Sequence, residues 1–351
     1  MTEKEGCNTA VTLQQIAEAC GVSRGTVDRA LRGREGVRPE VAEGIKKKAR
    51  EMGYIPRHGN VLTDIRPLRI GVVLHTGASD FVQSLAELIR SFPSQTILPI
   101  SPTVRIMDGT NVLHQLALID ELVENEQIDG LMLMPLASNQ VRDKINELTE
   151  THGLPIVTLN TDIADCGRLA YVGPDNIACG RTAAALMGLT ISGTGRVLPI
   201  LGQQSGHFAD TQRLSGFLSE MSESFPNVTV MSPEYCFLDQ DLAERITARA
   251  LRDVDNLSGI YLSSVGRSGV YQAIRRASKQ GQVHVVVHDL TADNLQMIRE
   301  GVVDFAIGQD AETQAWLPLR LLYQYLTKRK SPTQRQYTTE IGIKFRCNLT
   351  D

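Results

Sequence analysis

Residues 12–31 have the sequence Thr12-Leu-Gln-Gln-Ile-Ala-Glu-Ala-Cys-Gly-Val-Ser-Arg-Gly-Thr-Val-Asp-Arg-Ala-Leu31. Thr12 and Ser23 each stand directly before a short segment with helical apolar spacing, and both residue types favour helix N-caps. Gly21 lies between the two segments, where a positive φ would end the first helix and begin a tight turn. The stretch therefore predicts a helix-turn-helix, a unit that places its second helix in the major groove of DNA.

A third helix completes the predicted N-terminal domain. It starts at Pro39, a residue favoured in the first turn of helices, and it runs to Met52, just before Gly53 and Pro56. The sequence thus predicts an all-α three-helix helix-turn-helix headpiece over residues 1–56. Its small core is expected to contain Ile16, Ala17, Val22, Val27, Ala30 and Leu31.

The net charge is distributed unevenly along the chain. The whole protein carries −4, but residues 1–60 contain eleven Lys and Arg against eight Asp and Glu, which gives +3 and leaves −7 for the remainder. A modestly basic N-terminal region on an acidic body fits a protein that contacts nucleic acid only through its first domain.

The sequence pattern changes after residue 56. Residues 57–67 contain Pro and Gly without an apolar period and are predicted to be a linker or hinge. Residues 68–351 alternate short apolar runs with longer amphipathic segments, and continuous runs such as Gly130-Leu-Met-Leu-Met134 are typical of strands buried on both faces of a parallel sheet. We predict an α/β body of two doubly wound parallel-sheet lobes, with ligands bound beyond the carboxyl ends of the strands. The predicted strands are 68–74, 96–100, 130–134, 155–159, 196–201, 228–231, 259–263, 283–288 and 303–307, and the predicted helices are 80–91, 112–125, 139–151, 175–190, 210–222, 240–253, 267–280, 291–300 and 311–329.

Composition and missing motifs exclude several classes of protein. No apolar run reaches the ~20 residues that span a bilayer, and the first residues lack the order of a signal peptide, so we expect a cytoplasmic protein without a membrane partner. The six cysteines are scattered, without Cys-x-x-Cys or His at ligand spacing, so we expect reduced thiols and no metal site. No P-loop or nucleophile elbow is present, and Gly193-Thr-Gly195 precedes a strand instead of following one. We therefore expect no catalytic residue and no cofactor. The alternative is a cytoplasmic sugar-binding protein or an enzyme whose headpiece is not its main function.

Taken together, the motifs resemble one known family. The headpiece pattern Thr12-x-x-x-Ile-Ala-x-x-x-Gly-Val-Ser-x-x-Thr-Val-x-Arg-x-Leu, followed by Val37-Arg-Pro and Gly53-Tyr-x-Pro, is similar to that of LacI-family transcription regulators. The body resembles a ribose-type periplasmic binding domain at residues 154–162, 171–181, 212–217, 259–263, 288–291 and 307–310. The resemblance implies a periplasmic-binding-protein type I architecture and a homodimer that binds a near-palindromic DNA operator, most simply as a repressor. It also implies that a small molecule in the interlobe cleft, a sugar or polyol, changes the affinity for DNA.

For the headpiece, the resemblance implies DNA contacts at the start of the second helix and in the linker. Arg24 is the first candidate for reading a base, because a guanidinium can donate two parallel hydrogen bonds to guanine O6 and N7. A phosphate contact or a salt bridge is the alternative for Arg24, whereas Thr26 and Arg29 are expected to hold phosphates. Asp28 has two open interpretations, an i,i+4 charge ladder with Arg24 and Arg32, or a direct role in which it orients Arg24 or accepts from a cytosine N4. The predicted DNA-binding residues are Thr12, Ser23, Arg24, Gly25, Thr26, Asp28, Arg29, Arg32, Tyr54 and Leu62.

The linker departs from the family pattern. Relatives carry a short hinge helix that inserts a Leu into the minor groove and kinks the duplex, a known wedge mechanism. Here Gly59 and Asn60 interrupt the corresponding segment, and Leu62, the candidate wedge, lies about one residue too close to Tyr54. Whether a hinge helix forms is left open by the sequence.

For the body, the resemblance implies a ligand site at the strand ends. Asp80 and Phe81 follow the first strand, where relatives place a polar residue and aromatic rings that stack on a sugar. Asn160 and Asp289 end later strands, where such side chains accept hydroxyl hydrogen bonds, and Gln309 matches a polar hinge contact. Short polar groups beside an aromatic face suit polyhydroxylated ligands, and a loop cap or hinge hydrogen bond is the alternative role for each residue. The predicted ligand-binding residues are Asp80, Phe81, Asn160, Asp162, Thr211, Arg213, Ser264, His288, Asp289 and Gln309.

Other positions in the body limit what the resemblance implies. Thr211 stands where relatives carry an arginine, with Asp210 beside it, so the pentose specificity of related binding proteins is not expected to carry over. Asp175 and Asn176 are expected to cap a helix, and Trp316 is expected in the core or a dimer interface. The sequence leaves open whether a ligand releases DNA or promotes its binding.

Overall fold

The computed structural model describes residues 11–31, 36–52, 66–96, 98–191, 193–202, 208–237, 239–263 and 266–349. The chain divides into two compact units, and each is described by itself: Met1–Pro67 with Phe92–Pro99, and Leu68–Ser91 with Ile100–Asp351. Four predicted site residues lie outside the described residues, namely Arg32, Tyr54, Leu62 and Ser264, as do residues 57–65 of the predicted linker.

Helices and strands alternate along most of the chain. The helices are α1 Leu13–Cys20, α2 Arg24–Leu31, α3 Pro39–Glu51, α4 Asp80–Gln95, α5 Val112–Glu124, α6 Asn139–Glu150, α7 Asn176–Thr190, α8 Phe208–Ser224, α9 Gln240–Asp253, α10 Arg267–Arg276, α11 Ala292–Arg299 and α12 Ala311–Lys328. The strands are β1 Leu68–Leu74, β2 Ile100–Ile106, β3 Gly130–Leu133, β4 Ile156–Leu159, β5 Ala170–Gly173, β6 Gly195–Leu201, β7 Val228–Val230, β8 Glu234–Tyr235, β9 Leu257–Leu262, β10 His284–His288, β11 Phe305–Gly308, β12 Gln336–Thr338 and β13 Gly342–Lys344.

Local capping defines the helices of the headpiece. The Thr12 side chain accepts a hydrogen bond from the Gln15 backbone N–H, and the Gln15 side chain accepts one from the Thr12 N–H, which together form a capping box at α1. Gly21 ends α1 with φ 63°, as predicted for the turn. Ser23 Oγ accepts from the Thr26 N–H at 3.1 Å at the start of α2.

The three headpiece helices enclose one small apolar core. Its buried residues are Ile16, Ala17, Val27, Ala30, Leu31, Ile45 and Ala49, with Val22 packed at its edge. The core set predicted from the sequence is confirmed, and α3 contributes Ile45 and Ala49 to it.

The body contains two mainly parallel sheets. The first has six strands in the order β12-β5-β4-β3-β1-β2, all paired in parallel. The second has the order β13-β11-β10-β9-β6-β7, with β8 paired to β6 and only β13 antiparallel among the described pairs. Strands β1–β5 lie in the first sheet and β6–β11 in the second. Strand β12 then joins the first sheet and β13 the second, so the chain passes between the two lobes three times.

One predicted strand is wrong in position. The apolar residues at 96–100 suggested a strand there, but β2 occupies Ile100–Ile106 and includes Pro102 and Arg105. This strand is at the edge of the first sheet, where it has one partner strand, and an edge position tolerates a proline that cannot donate a backbone hydrogen bond. The short strands β5, β8, β12 and β13 were not predicted.

Two glycines allow α7 and α8 to touch through their backbones. A Cβ atom on Gly180 would lie 2.0 Å from the carbonyl oxygen of Arg213, and one on Gly216 would lie 2.1 Å from the carbonyl oxygen of Ile177. This close contact fixes the start of α8 against α7, and both helices carry polar residues of the site described below. None of the described helices is long and apolar enough to cross a membrane.

Candidate DNA-reading helix and ligand cleft

The start of α2 presents polar side chains to solvent. Ser23, Arg24, Gly25 and Arg29 are exposed, while Val27 packs in the headpiece core on the opposite side of the helix. The exposed Thr12 caps the neighbouring helix α1. An exposed polar helix start of this kind has the form in which helix-turn-helix proteins present side chains to base edges.

Hydrogen bonds hold the side chains of Ser23, Thr26 and Arg29 at the start of α2, but not that of Arg24. The Ser23 and Thr26 hydroxyls are 2.9 Å apart, and Arg29 Nε donates to the Gly25 carbonyl oxygen at 3.2 Å. Arg24 forms no hydrogen bond or ion pair with another of the described residues, so the structure contains no Arg24–Asp28 ion pair. The hydrogen-bond donors of the Arg24 guanidinium therefore have no acceptor among the described residues.

In the body, polar side chains from both lobes meet at the carboxyl ends of the strands. Asn160 follows β4 of the first sheet, and Gln309 follows β11 of the second. Asn160 Nδ2 donates to Gln309 Oε1 at 3.2 Å, and Gln309 Nε2 donates to an oxygen of Asp289, which follows β10. Asn160 and Asp289 have φ of 61° and 76°, a backbone conformation that Asn and Asp tolerate better than most residues. These three residues form one hydrogen-bonded chain across the cleft between the lobes.

Arg213 of α8 supports this chain from the second lobe. Its Nε donates to Asn176 Oδ1 at 2.9 Å, its Nη1 to the Ser263 carbonyl oxygen at 2.8 Å, and its Nη2 to Gln309 Oε1 at 2.7 Å. Asp210, one turn earlier in α8, accepts from the Ser263 hydroxyl at 2.8 Å and from the Gly202 N–H at 3.1 Å. Because every nitrogen of the Arg213 guanidinium has a partner within the protein, this residue positions the site.

A second buried arginine links two carboxylates across the cleft. Arg267, the first residue of α10, donates from Nη2 to Asp289 at 2.8 Å and from Nη1 to Asp80 at 3.3 Å. Asp80 begins α4 of the first lobe and its side chain is 63% exposed, whereas the Asp289 side chain is 6% exposed. The ion pairs therefore join the two lobes through one guanidinium.

Comparison with known proteins places these features in a family. The sequence profile of a periplasmic binding protein domain matches residues 70–330, and that of bacterial regulatory proteins of the lacI family matches residues 12–57. The chain belongs to the periplasmic binding protein domain family through its body, and it carries a LacI-family helix-turn-helix domain at its N-terminus.

Individual relatives agree with this assignment. The HTH-type transcriptional regulator MalR of Streptococcus pneumoniae is 23% identical over 238 residues, 67% of this chain and 69% of MalR. The HTH-type transcriptional regulator CelR of Thermobifida fusca is 26% identical over 216 residues, 59% of each chain. The crystal structure of GanP, a glucose-galactose binding protein from Geobacillus stearothermophilus, superposes with a TM-score of 0.72 over 81% of this chain and 99% of GanP, at 16% identity. The last match shows the shared fold of the body.

The structure brings some predicted ligand residues together and separates others. Asp80, Asn160, Arg213, Asp289 and Gln309 belong to the connected network. The predicted aromatic residue of the cleft, Phe81, is 9% exposed, and Thr211 is exposed on α8.

His288 lies beneath the network. It was predicted to contact ligand, but its side chain is fully buried at the end of β10, where Nε2 lies 2.9 Å from the Tyr261 hydroxyl. Burial, followed by the positive charge of Arg213, lowers the pKa of His288 well below its ordinary value of 6.5. His288 is therefore a neutral core residue. It is the last residue of β10, directly before Asp289.

Asp162 lies beside the network and not within it. Its carboxylate pairs with Arg168 and accepts from the Thr158 hydroxyl at 2.8 Å, so it is held by its own lobe. It lines a cavity of about 830 Å³, together with Asn139, Arg142, Arg168, Asn176 and Gln212. This open space adjoins the network through Asn176 and does not include Asp289 or Gln309, whose side chains are bonded to each other.

Sequence reasoning missed the residues that complete the network. Asn176 was interpreted as a helix cap, but the cap of α7 is Asp175, and Asn176 is a buried partner of Arg213. Arg267 was not among the predicted site residues, although an arginine at the start of a helix is a signal, because a cation at a helix N-terminus opposes the helix dipole. Trp316 is half-buried and donates to the Leu88 carbonyl oxygen at 3.2 Å, which places it within the body.

Neither a metal site nor a reactive thiol at Cys166 or Cys179 is found among the described residues. No three His, Cys, Asp or Glu side chains among them are arranged as metal ligands. Burial raises the pKa of the Cys166 and Cys179 thiols, which makes both poor nucleophiles.

Proposed function

We propose that this protein is a LacI-family regulator that binds a near-palindromic DNA operator as a homodimer and represses transcription, and that a small polyhydroxylated ligand in its cleft controls the affinity for DNA. The observation that carries the proposal is the hydrogen-bonded chain Asn160–Gln309–Asp289, which joins the strand ends of the two lobes. A ligand that replaces these bonds changes how the lobes are held together.

Several properties support a sugar or polyol as that ligand. The buried amide and carboxylate groups at the strand ends suit hydroxyl groups, and the fold is that of a glucose-galactose binding protein, GanP. A binding protein returns its ligand unchanged, so recovery of the ligand after prolonged incubation separates this proposal from an enzymatic body.

For the headpiece, we propose that Arg24 reads a base and that Thr26 and Arg29 contact phosphates. Arg24 is exposed at the start of α2 and has no partner among the described residues. Loss of a bidentate contact to guanine costs about 1–3 kcal/mol and relaxes preference at one base pair, whereas loss of a phosphate contact weakens binding to all sequences.

The DNA-binding part is tested by selecting operators from a random DNA pool and measuring affinity by fluorescence anisotropy at several salt concentrations. Arg24→Met is expected to lose discrimination at one position of each half-site, while Arg196→Met, a change at an exposed arginine of β6, is expected to bind like the unaltered protein. Absence of any sequence preference, or one protomer per operator in sedimentation analysis, would contradict the proposal.

The ligand part is tested by thermal shift against pentoses, hexoses, inositols and their derivatives. Ligand at 100 times its Kd stabilises the folded protein by about 2.7 kcal/mol, which is a visible rise in melting temperature. A ligand that stabilises the protein, fails to stabilise Asp289→Asn and alters operator affinity is the expected result. A ligand that stabilises both proteins equally would remove Asp289 from the proposed site.

A further inference from the structure

The Arg267 guanidinium has more donors than the protein uses. The residue is 6% exposed, its Nη1 and Nη2 atoms face Asp80 and Asp289, and its Nε has no hydrogen-bond partner among the described residues. A buried donor without a partner is unfavourable, so an unused N–H at a ligand cleft favours a ligand that brings an acceptor.

The two carboxylates bound to Arg267 differ in how firmly they are held. Asp289 is buried, and each of its oxygens has a partner, Gln309 on Oδ1 and Arg267 on Oδ2. Asp80 lies at 3.3 Å, its side chain is 63% exposed, and it comes from the opposite lobe. Because the Asp80 carboxylate is largely exposed to water, releasing it costs less than releasing the buried Asp289, so Asp80 is the partner of Arg267 that another anion can replace.

The charges of the site define what such an anion can be. Within the network around Arg267, Arg213 and Arg267 balance the buried Asp210 and Asp289, and docked Asp80 adds one negative charge. A singly charged carboxylate on a ligand would replace Asp80 without changing this balance, whereas a doubly charged phosphate would add a further negative charge.

We propose that the effector is a polyhydroxylated compound carrying an oxyanion, and that this group binds Arg267 in place of Asp80. The charge balance favours a sugar acid over a sugar phosphate. This inference rests on the proposed function, since it assumes that a ligand occupies the cleft, and it specifies which chemical class does so.

Calorimetric titration with matched ligands tests the class. The probes are glucose, gluconate, glucuronate and glucose 6-phosphate, and the same series for galactose, at constant ionic strength with acetate and inorganic phosphate as controls for simple anions. We expect a sugar acid to bind at least about tenfold more tightly than its neutral parent, because the neutral compound gains no charged hydrogen bond from Arg267. Tighter binding of the phosphate than of the acids would retain the oxyanion and overturn the preference for a carboxylate.

Two substitutions test the proposed exchange. Asp80→Asn removes the competing carboxylate from an exposed position, so the Kd of the sugar acid is expected to fall by about three- to tenfold while that of a neutral sugar stays constant. Arg267→Lys keeps the charge next to Asp289 but loses the planar fork, and it is expected to weaken binding of the acid by about tenfold or more. Asp255→Asn, in an exposed turn before β9, changes the net charge equally and is expected to have no effect.

The outcomes separate this inference from the proposed function. Neutral sugars that bind as tightly as their acids and alter operator affinity would overturn the inference and leave the proposed function standing. An acid whose Kd is the same for Asp80→Asn and the unaltered protein would overturn the exchange at Arg267. If no compound binds while operator binding is intact, both the inference and the proposed control by a cleft ligand fail.

Discussion

Replacing Gly180 with alanine would force α7 and α8 apart where both helices hold the polar network. The added Cβ would lie 2.0 Å from the Arg213 carbonyl oxygen, about 1.5 Å short of the ~3.5 Å of an ordinary contact. It would also lie 2.9 Å from the Phe217 backbone nitrogen. Since these are backbone atoms, a change of side-chain rotamer cannot relieve the clash, and the helices themselves must separate.

The expected loss of stability follows from two opposing effects. Alanine stabilises a helix interior by about 1 kcal/mol relative to glycine, whereas overpacking a core costs about 1–3 kcal/mol even where side chains can move. Because the opposing atoms are backbone atoms, we take the upper overpacking cost of about 3 kcal/mol. Subtracting the gain of about 1 kcal/mol from alanine, Gly180→Ala is expected to lower the free energy of unfolding by about 2 kcal/mol. For a body of this size that corresponds to a fall in Tm of roughly 4–8 °C.

Calorimetry of two glycine variants measures this effect with a matched control. Gly44 lies inside α3 with nothing within 4 Å of an added Cβ, so Gly44→Ala is expected to stabilise the headpiece by about 0.5–1 kcal/mol. Gly180→Ala should also reduce the response to a cleft ligand, because Asn176 on α7 and Arg213 on α8 would lose their 2.9 Å hydrogen bond. A Gly180→Ala protein as stable as the unaltered one would refute the close helix contact and the position of Arg213 that depends on it.

Three further substitutions test other parts of the structure. Ser23→Ala removes the acceptor of the Thr26 N–H and is expected to destabilise the headpiece by about 1 kcal/mol in thermal melts followed by circular dichroism; an unchanged melt would mean that Ser23 does not cap α2. Arg213→Met removes the donor to Asn176 Oδ1 and to the Ser263 carbonyl oxygen, and one of the two donors to Gln309 Oε1. It is expected to cost about 3 kcal/mol in urea unfolding, whereas a cost below about 1 kcal/mol would contradict its positioning role. The pKa of His288 is lowered in the folded protein, so the unfolded state binds the proton first and stability is expected to fall as the pH drops below 6.5. His288→Gln, which can still form a hydrogen bond with Tyr261, is expected to reduce the fall in Tm between pH 6.5 and 5. An equal fall in both proteins would exclude His288 as its source.

The elements predicted well are those whose signals are local. The caps at Thr12 and Ser23 and the turn at Gly21 depend on residues within three or four positions, and the structure reproduces all three. Central strands such as β3 are continuously apolar, so their positions follow from composition alone. The edge strand β2 was misplaced because a strand with one neighbour needs neither continuous apolar residues nor a full set of backbone donors.

The sequence predicted the site residues that directly follow strands but did not predict Arg267. Asn160, Asp289 and Gln309 were expected from the family resemblance, and their positions agree with the rule that the carboxyl ends of parallel strands converge. Arg267 was missed because its role depends on Asp80, which is 187 positions away in the sequence. No local pattern contains that pairing, since it arises only when three crossings between the sheets bring the two lobes together.

The interlobe bonds give a cleft ligand a direct effect on the arrangement of the two lobes. A ligand shifts a conformational equilibrium only by the difference in its affinity for the two states. Here the lobes are joined by Asn160–Gln309 and by Asp80–Arg267, and both bonds use groups that a ligand would also use. An oxyanion on Arg267 therefore binds most favourably when Asp80 has been released, so its binding energy is coupled directly to one of the contacts that holds the lobes in their present arrangement. The same reciprocity requires that operator DNA, if it favours one lobe arrangement, alters the affinity for the oxyanion by the same factor.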